Sequence, residues 1–285
     1  MINNGTILKY SSNPKYLGVT LDRTLTFKQH LENTSAKIKT RNNIIQKLAN
    51  TSWGSNAKVI RTSALSLVYP TAEYCAPVWL NSHHTNVIDT QLNQTMRHIT
   101  GTIKPTPTQW LPILNNIAPP ATRRLAALNT LVQTCQQNPA LPINTDIAEL
   151  DQRELRLKSR HPPTRTATRL ADFTTKEHWM GEWNPEIRNA NLIENPIIKP
   201  DGFSLPRREW CNLNRIRVGH GVCNKSLKKW GINASPGCDK CSAVEQTTNY
   251  IVFECPATKF VGSLQQIHQL TPKARDWLRG CNLRL

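Results

Sequence analysis

Three cysteines near the end of the chain carry its strongest chemical signal. Cys238-Asp239-Lys240-Cys241 puts two thiols on one tight turn, and Cys255 follows within the next stretch of chain. Two thiolates on a turn can share a tetrahedral ion, and a third cysteine about a dozen residues later supplies most of the remaining shell. The spacing is that of a CCHC zinc knuckle, but Tyr250 stands where the imidazole is expected. A phenol, with an unperturbed pKa of about 10, must lose a proton to become a ligand, which neutral imidazole need not do. Three outcomes stay open. The ion is lost and Tyr250 packs beside Ile251 and Phe253; water takes the fourth place; or His220 or Cys223, just upstream, swings in. A metal held here is a structural zinc, worth about 10–16 kcal/mol in small finger modules. No neighbouring carboxylate is placed as a general base, so catalytic zinc is not expected.

The second signal is charge. Thirty-six Lys and Arg against 19 Asp and Glu give +17 and a pI near 9.8. Such an excess attracts polyanions through counterion release, and RNA or DNA is the expected partner. Candidate phosphate contacts are Lys37, Lys39 and Arg41 on one predicted helix, Arg207, Arg208, Arg215 and Arg217 on another, and Lys228 and Lys229 on a third. An ordinary amphipathic helix with a solvated basic face reads the same way. No run approaches the 18 or so apolar residues of a membrane span. Met1-Ile2-Asn3-Asn4-Gly5 lacks the basic and apolar regions of a signal peptide. The expectation is an intracellular protein, nuclear or cytoplasmic and not secreted. Its eight cysteines are then reduced thiols rather than disulfides.

The elements that position these residues are mainly helical. Thr6–Tyr10 and Tyr16–Leu21 flank the turn cluster Ser11-Ser12-Asn13-Pro14 and predict one hairpin. Thr26 can cap a helix from Phe27, with Phe27, Leu31, Ile38, Ile45 and Leu48 on one stripe. Further helices are expected over Asn56–Val68, around Ile88 to a stop at Gly101, at Trp110–Leu114, and from Pro120 through Cys135. Trp79 and Trp110 read as core. Between Pro139 and Pro206 prolines break the pattern, save for a stretch over Ile147–Ser159. Arg153, Arg156, Lys158, Arg160, Arg165 and Arg169 make that middle basic, as in a linker ordered by a polyanion. Trp179 and Trp183 within it could stack on bases. A helix from Pro206 toward Gly219 exposes its arginines, and Pro272 opens the last one. The expected divisions are a hairpin at 1–26, a helical bundle at 27–138, a partly disordered basic linker at 139–205, and a small Cys-rich module at 206–285.

These motifs together carry a resemblance. Arg217-Val218-Gly219-His220-Gly221, Lys229-Trp230-Gly231, Ser235-Pro236, the cysteines, Glu245-Gln246-Thr247, Cys255-Pro256, Asp276-Trp277-Leu278 and Leu283-Arg284-Leu285 occur in that order. They are similar to the C-terminal end of the polyprotein of non-LTR retrotransposons, jockey-like elements in particular. Lys15-Tyr16-Leu17-Gly18-Val19-Thr20-Leu21-Asp22, with Leu25, Phe27 and His30, resembles the segment where the thumb of the reverse transcriptase begins. Tyr74-Cys75-Ala76-Pro77-Val78-Trp79 and Arg123-Arg124-Leu125 fit the helices that follow. The resemblance covers most of 7–135 and 206–285. It implies a parent that is an RNA-directed DNA polymerase using magnesium held by palm aspartates, with a tail that helps hold RNA or target DNA. This chain contains no Asp-Asp pair, and no HExxH, GxSxG or Walker-type loop. It is therefore expected to lack polymerase activity itself: a truncated remnant, without catalytic residues, that retains nucleic-acid binding. The alternatives are a decayed or interaction-only helical protein, and part of an active enzyme if the reading frame extends upstream.

Overall fold

The computed structural model of the chain describes residues 11–50, 53–148, 163–167, 170, 172–280 and 285, and the backbone of 2–3 and 6–7. Two antiparallel two-stranded ribbons come first, β1 (Ile2–Asn3) with β2 (Thr6–Ile7) and β3 (Lys15–Tyr16) with β4 (Val19–Thr20). The helices are α1 (Lys28–Leu48), α2 (Ala57–Leu67), α3 (Tyr69–Ala72), α4 (Ala76–Trp79), α5 (Asn86–Thr100), α6 (Trp110–Asn115), α7 (Pro120–Gln136) and α8 (Pro142–Ala148). Then follow α9 (Pro163–Ala167), α10 (Thr175–Gly181), α11 (Arg207–Val218), α12 (Asn224–Lys229), α13 (Thr248–Phe253), α14 (Leu264–His268) and α15 (Pro272–Gly280). The fold is thus mainly α with a short N-terminal hairpin, as its sequence predicts. No helix among the described residues is long and apolar enough to cross a membrane. Most of the stretch 147–159 lies outside the described residues, as do Arg153, Arg156, Lys158, Arg160, Arg169 and the side chain of Arg165.

The chain divides into two compact units that interleave along the sequence. One is 1–40, 70–92 and 120–174; the other is 41–69, 93–119 and 175–285. In the first unit the hairpin differs from expectation. Among the described residues, Tyr16 pairs with Val19 and Lys15 with Thr20, rather than Tyr16–Leu21 pairing back across Ser11–Pro14. The reason is local: Leu17 (φ +43°) and Gly18 (φ +85°) both adopt the left-handed conformation that a two-residue primed turn requires. The Tyr74 hydroxyl donates to the Leu17 carbonyl at 2.8 Å, which joins two motifs more than fifty residues apart in sequence. Asp22 organises the approach to α1, accepting from the backbone of Thr24 and Thr26 at 3.1 and 2.9 Å. Although burial alone would raise its pKa, these bonds and those of the threonine hydroxyls hold the carboxyl down at about 2. Trp79 is buried, its indole donating to the Tyr74 carbonyl. Leu128, Ala167 and Leu170 form a cluster with Leu125, Val132 and Phe173. Arg123 pairs with Glu73 and Arg124 with Asp89, so part of the positive charge here is neutralised within the fold.

In the second unit the local signals hold at the helix ends. Asn56 caps α2 by accepting from the Val59 amide at 3.0 Å. Gly219 (φ +68°) and the His220 amide close α11 in a Schellman motif, bonding to the Ile216 and Arg215 carbonyls. The core gathers around α11, where Trp210, Leu213 and Ile216 meet Phe203, Val252 and Ile267. Burying each such side chain is worth about 1.5–3 kcal/mol. The part of the expected linker that lies in this unit is built into it. Leu192, Phe203 and Leu205 are buried, and Trp183 packs edge-on against Trp110 with ring centroids 5.5 Å apart. Trp179 is also buried, which removes it as a platform for bases, while Trp183 is half-buried. Prolines interrupt helices here without preventing packing, because turns and short helical segments between them still present apolar side chains.

Candidate metal centre and the basic residues

The knuckle turn and α13 bring the three cysteines together. Thr247 caps α13 by accepting from the Tyr250 amide at 3.0 Å, and Cys255 follows the helix with its amide on the Tyr250 carbonyl at 2.8 Å. The turn is pinned from both sides. The Cys238 amide donates to the Ala243 carbonyl, and the Gln246 amide to that of Pro236. The Asn224 side chain, at the start of α12, donates to the Gly237 carbonyl at 2.6 Å and to an Asp239 carboxylate oxygen at 2.9 Å. Gly221 sits where a Cβ would lie 3.0 Å from the Thr248 hydroxyl, which its amide uses as acceptor. The glycine in that motif serves close approach.

Sγ of Cys255 lies 3.9 Å from Sγ of Cys238 and 3.9 Å from Sγ of Cys241. A tetrahedral zinc with Zn–S near 2.3 Å has S···S edges of roughly 3.8 Å. The donor set fits the ion on three vertices. The Tyr250 hydroxyl is 3.0 Å from Sγ of Cys241. The hydrogen bond to Cys241, then burial and the neighbouring thiols, push the phenol up to about 12. Burial would raise the Cys238 thiol, yet hydrogen bonds from the Lys240 amide, the Gln246 side chain and the other two cysteines bring it down to about 7. Among the described residues, the metal-ligating groups that converge are Cys238, Cys241 and Cys255. Cys223 belongs to the hydrophobic core, with its sulfur 3.3 Å from the Ser226 hydroxyl. His220 is half-buried and not part of the cluster; burial and the Arg188 charge lower its pKa.

The basic residues separate into two groups. Lys37, Lys39, Arg208, Lys228 and Lys229 are exposed, and Arg41 is half-buried, donating to the Leu67 carbonyl. The expectation that α11 exposes all its arginines is corrected for three of them. Arg207, Arg215 and Arg217 are 4, 7 and 0 % exposed. Arg207 donates to the carbonyls of Asn50 and Ala49, beyond the end of α1, and to those of His98 and Ile99 at the end of α5. Arg215 bonds the Gly101 carbonyl at 2.7 Å and that of Leu285. Arg217 lies over Trp210 and donates to the carbonyls of Asp201 and His268, both at 2.8 Å. Burial lowers it to about 9, which keeps it charged at neutral pH. Desolvating a cation costs several kcal/mol, and charge-assisted bonds return about 1.5–3 kcal/mol each. Backbone carbonyls, those at the ends of α1 and α5 for Arg207 among them, therefore make these sites tolerable. The sequence does carry a trace of this arrangement. Cys211 and Asn214 share a face with Arg207 and Arg215, and a face of small side chains invites another backbone close to it.

No protein-family model matches the chain, and no solved structure matches it significantly. It is similar to a retrovirus-related Pol polyprotein from type-1 retrotransposable element R1 of Bradysia coprophila, 23% identical over 264 residues. It is also similar to the R1 4 polyprotein of Nasonia vitripennis, 20% identical over 261 residues. Each alignment takes in 89% of this chain, but only 25% and 62% of the respective polyproteins. The similarity supports a retrotransposon origin.

Proposed function

We propose that this protein is a nucleic-acid-binding remnant of a non-LTR retrotransposon polyprotein, R1-like or jockey-like, that acts inside the cell and does not itself transfer nucleotides. In this reading the first unit keeps thumb-type helices and the last part keeps a degenerate zinc knuckle. The observation that carries the proposal is the coupling of the thiol cluster to a basic helix. Asn224 ties α12 to the knuckle turn, and α12 ends in the exposed Lys228 and Lys229. A zinc at the three cysteines would stiffen the turn and so position those lysines against a sugar-phosphate backbone. Arg208, Lys37 and Lys39 add further exposed charge.

The test is a titration with single-stranded RNA and with duplex DNA at several salt concentrations. We expect log K to fall linearly with log salt, with a slope of about −0.7 per phosphate neutralised on single strands. Affinity indifferent to salt removes the proposal. A second reading, an interaction-only protein whose charge is inherited, is favoured by one observation. Arg207, Arg215 and Arg217 spend their charge inside the fold, so the net +17 overstates what the surface offers. The same titration separates the two, because that second protein binds neither polymer.

A further inference from the structure

We propose that the cavity at the C-terminal end of α5 is a binding site for a phosphomonoester-type dianion, either inorganic phosphate or the terminal phosphate of a nucleic-acid strand. It has a volume of about 290 Å³ and is lined by Arg97, His98, Lys104, Arg207 and Arg215, among others. No Asp or Glu lines it among the described residues. The charge is therefore out of balance unless the backbone supplies the difference, and the backbone supplies only part. A helix C-terminus carries roughly −0.5 of an elementary charge. The ends of α1 and α5 together offset Arg207, whose donors point into their carbonyls.

Arg215 is likewise held by the Gly101 and Leu285 carbonyls, which leaves Arg97 and Lys104 as the less matched cations facing the cavity. Arg97 bonds the Thr106 carbonyl at 3.2 Å through one terminal nitrogen, while its Nε–H is buried with no acceptor. That nitrogen is closed to solvent, so an anion in the cavity would meet the terminal nitrogens of this half-buried side chain. His98 is neutral at pH 7, because burial and the Arg207 charge push it down to about 4. It can therefore donate to an oxyanion without adding charge. Two such cations, with the His98 donor beside them, favour a doubly charged, tetrahedral oxyanion over chloride or a single carboxylate.

The strand-terminal form of the proposal rests on the nucleic-acid reading above; the inorganic-phosphate form does not. The experiment uses the full chain at constant ionic strength. Inorganic phosphate is titrated by thermal shift, and oligonucleotides of one sequence, with and without a terminal phosphate, are compared by fluorescence anisotropy. Arg97→Ala and Lys104→Ala are the variants. Lys104 is exposed, so its replacement tests the site even if Arg97→Ala fails to fold. We expect saturable phosphate binding that weakens about tenfold or more in Arg97→Ala, less in Lys104→Ala, and tighter binding of the phosphorylated strand. Phosphate binding lost in the variants while no oligonucleotide binds supports the cavity with free phosphate and sinks the nucleic-acid reading. Oligonucleotide binding indifferent to terminal phosphate, with no saturable phosphate binding, overturns the cavity and leaves that reading standing. Phosphate binding unchanged in both variants also overturns it.

Discussion

Single side chains decide whether the thiol cluster holds metal. Cys255 already stands at tetrahedral edge distance from both Cys238 and Cys241, so replacing the protonated phenol with an imidazole should complete the shell. Tyr250→His is expected to raise zinc to one ion per chain and to add a chelator-sensitive gain in melting temperature. Metal content left unchanged by the substitution would show that Tyr250 does not limit the site. The buried arginines are tested by stability. Arg217→Ala removes donors from the Asp201 and His268 carbonyls and leaves a cavity beside Trp210. A loss of about 3 kcal/mol is expected in chemical denaturation, since breaking a buried charged network costs roughly 3–5 kcal/mol. Lys228→Ala, at an exposed position, should stay within about 0.5 kcal/mol. Equal effects of the two would mean that Arg217 is not the internal brace described above.

At the scale of elements, the contact between α5 and α11 is set by one glycine. A Cβ on Gly101 would fall 2.1 Å from Sγ of Cys211, and the residue has φ +70°. Both facts point the same way: the helix stop and the close approach need the same absent side chain. Gly101→Ala is expected to destabilise the protein by about 2 kcal/mol or more, combining overpacking with left-handed strain. Urea denaturation measures it, and a change below about 0.5 kcal/mol, the size of an ordinary surface effect, would contradict the packing argument. The ends of α2, α7, α11 and α15 were legible without the fold. An asparagine cap, a proline start and a glycine stop act on neighbouring backbone groups. The register of β3 with β4 was less so, because the turn residues Leu17 and Gly18 compete with the more conspicuous Ser11–Pro14 cluster.

On the scale of the whole molecule, composition predicted a basic, mainly helical chain with a cysteine module, and the structure agrees. Helix stripes and caps are readable from local sequence, because each depends on residues within about two turns of one another, and the thiol spacing is read directly from the chain. Where the charge goes depends on packing. Arg207 reaches carbonyls 108 and 157 residues away in sequence, and no local pattern announces such partners. Tertiary packing likewise drew Leu192, Phe203 and Leu205 out of an apparent linker and into a core. A guanidinium is solvated or structural according to whether distant helix ends converge on it, and that convergence is a property of the packed chain.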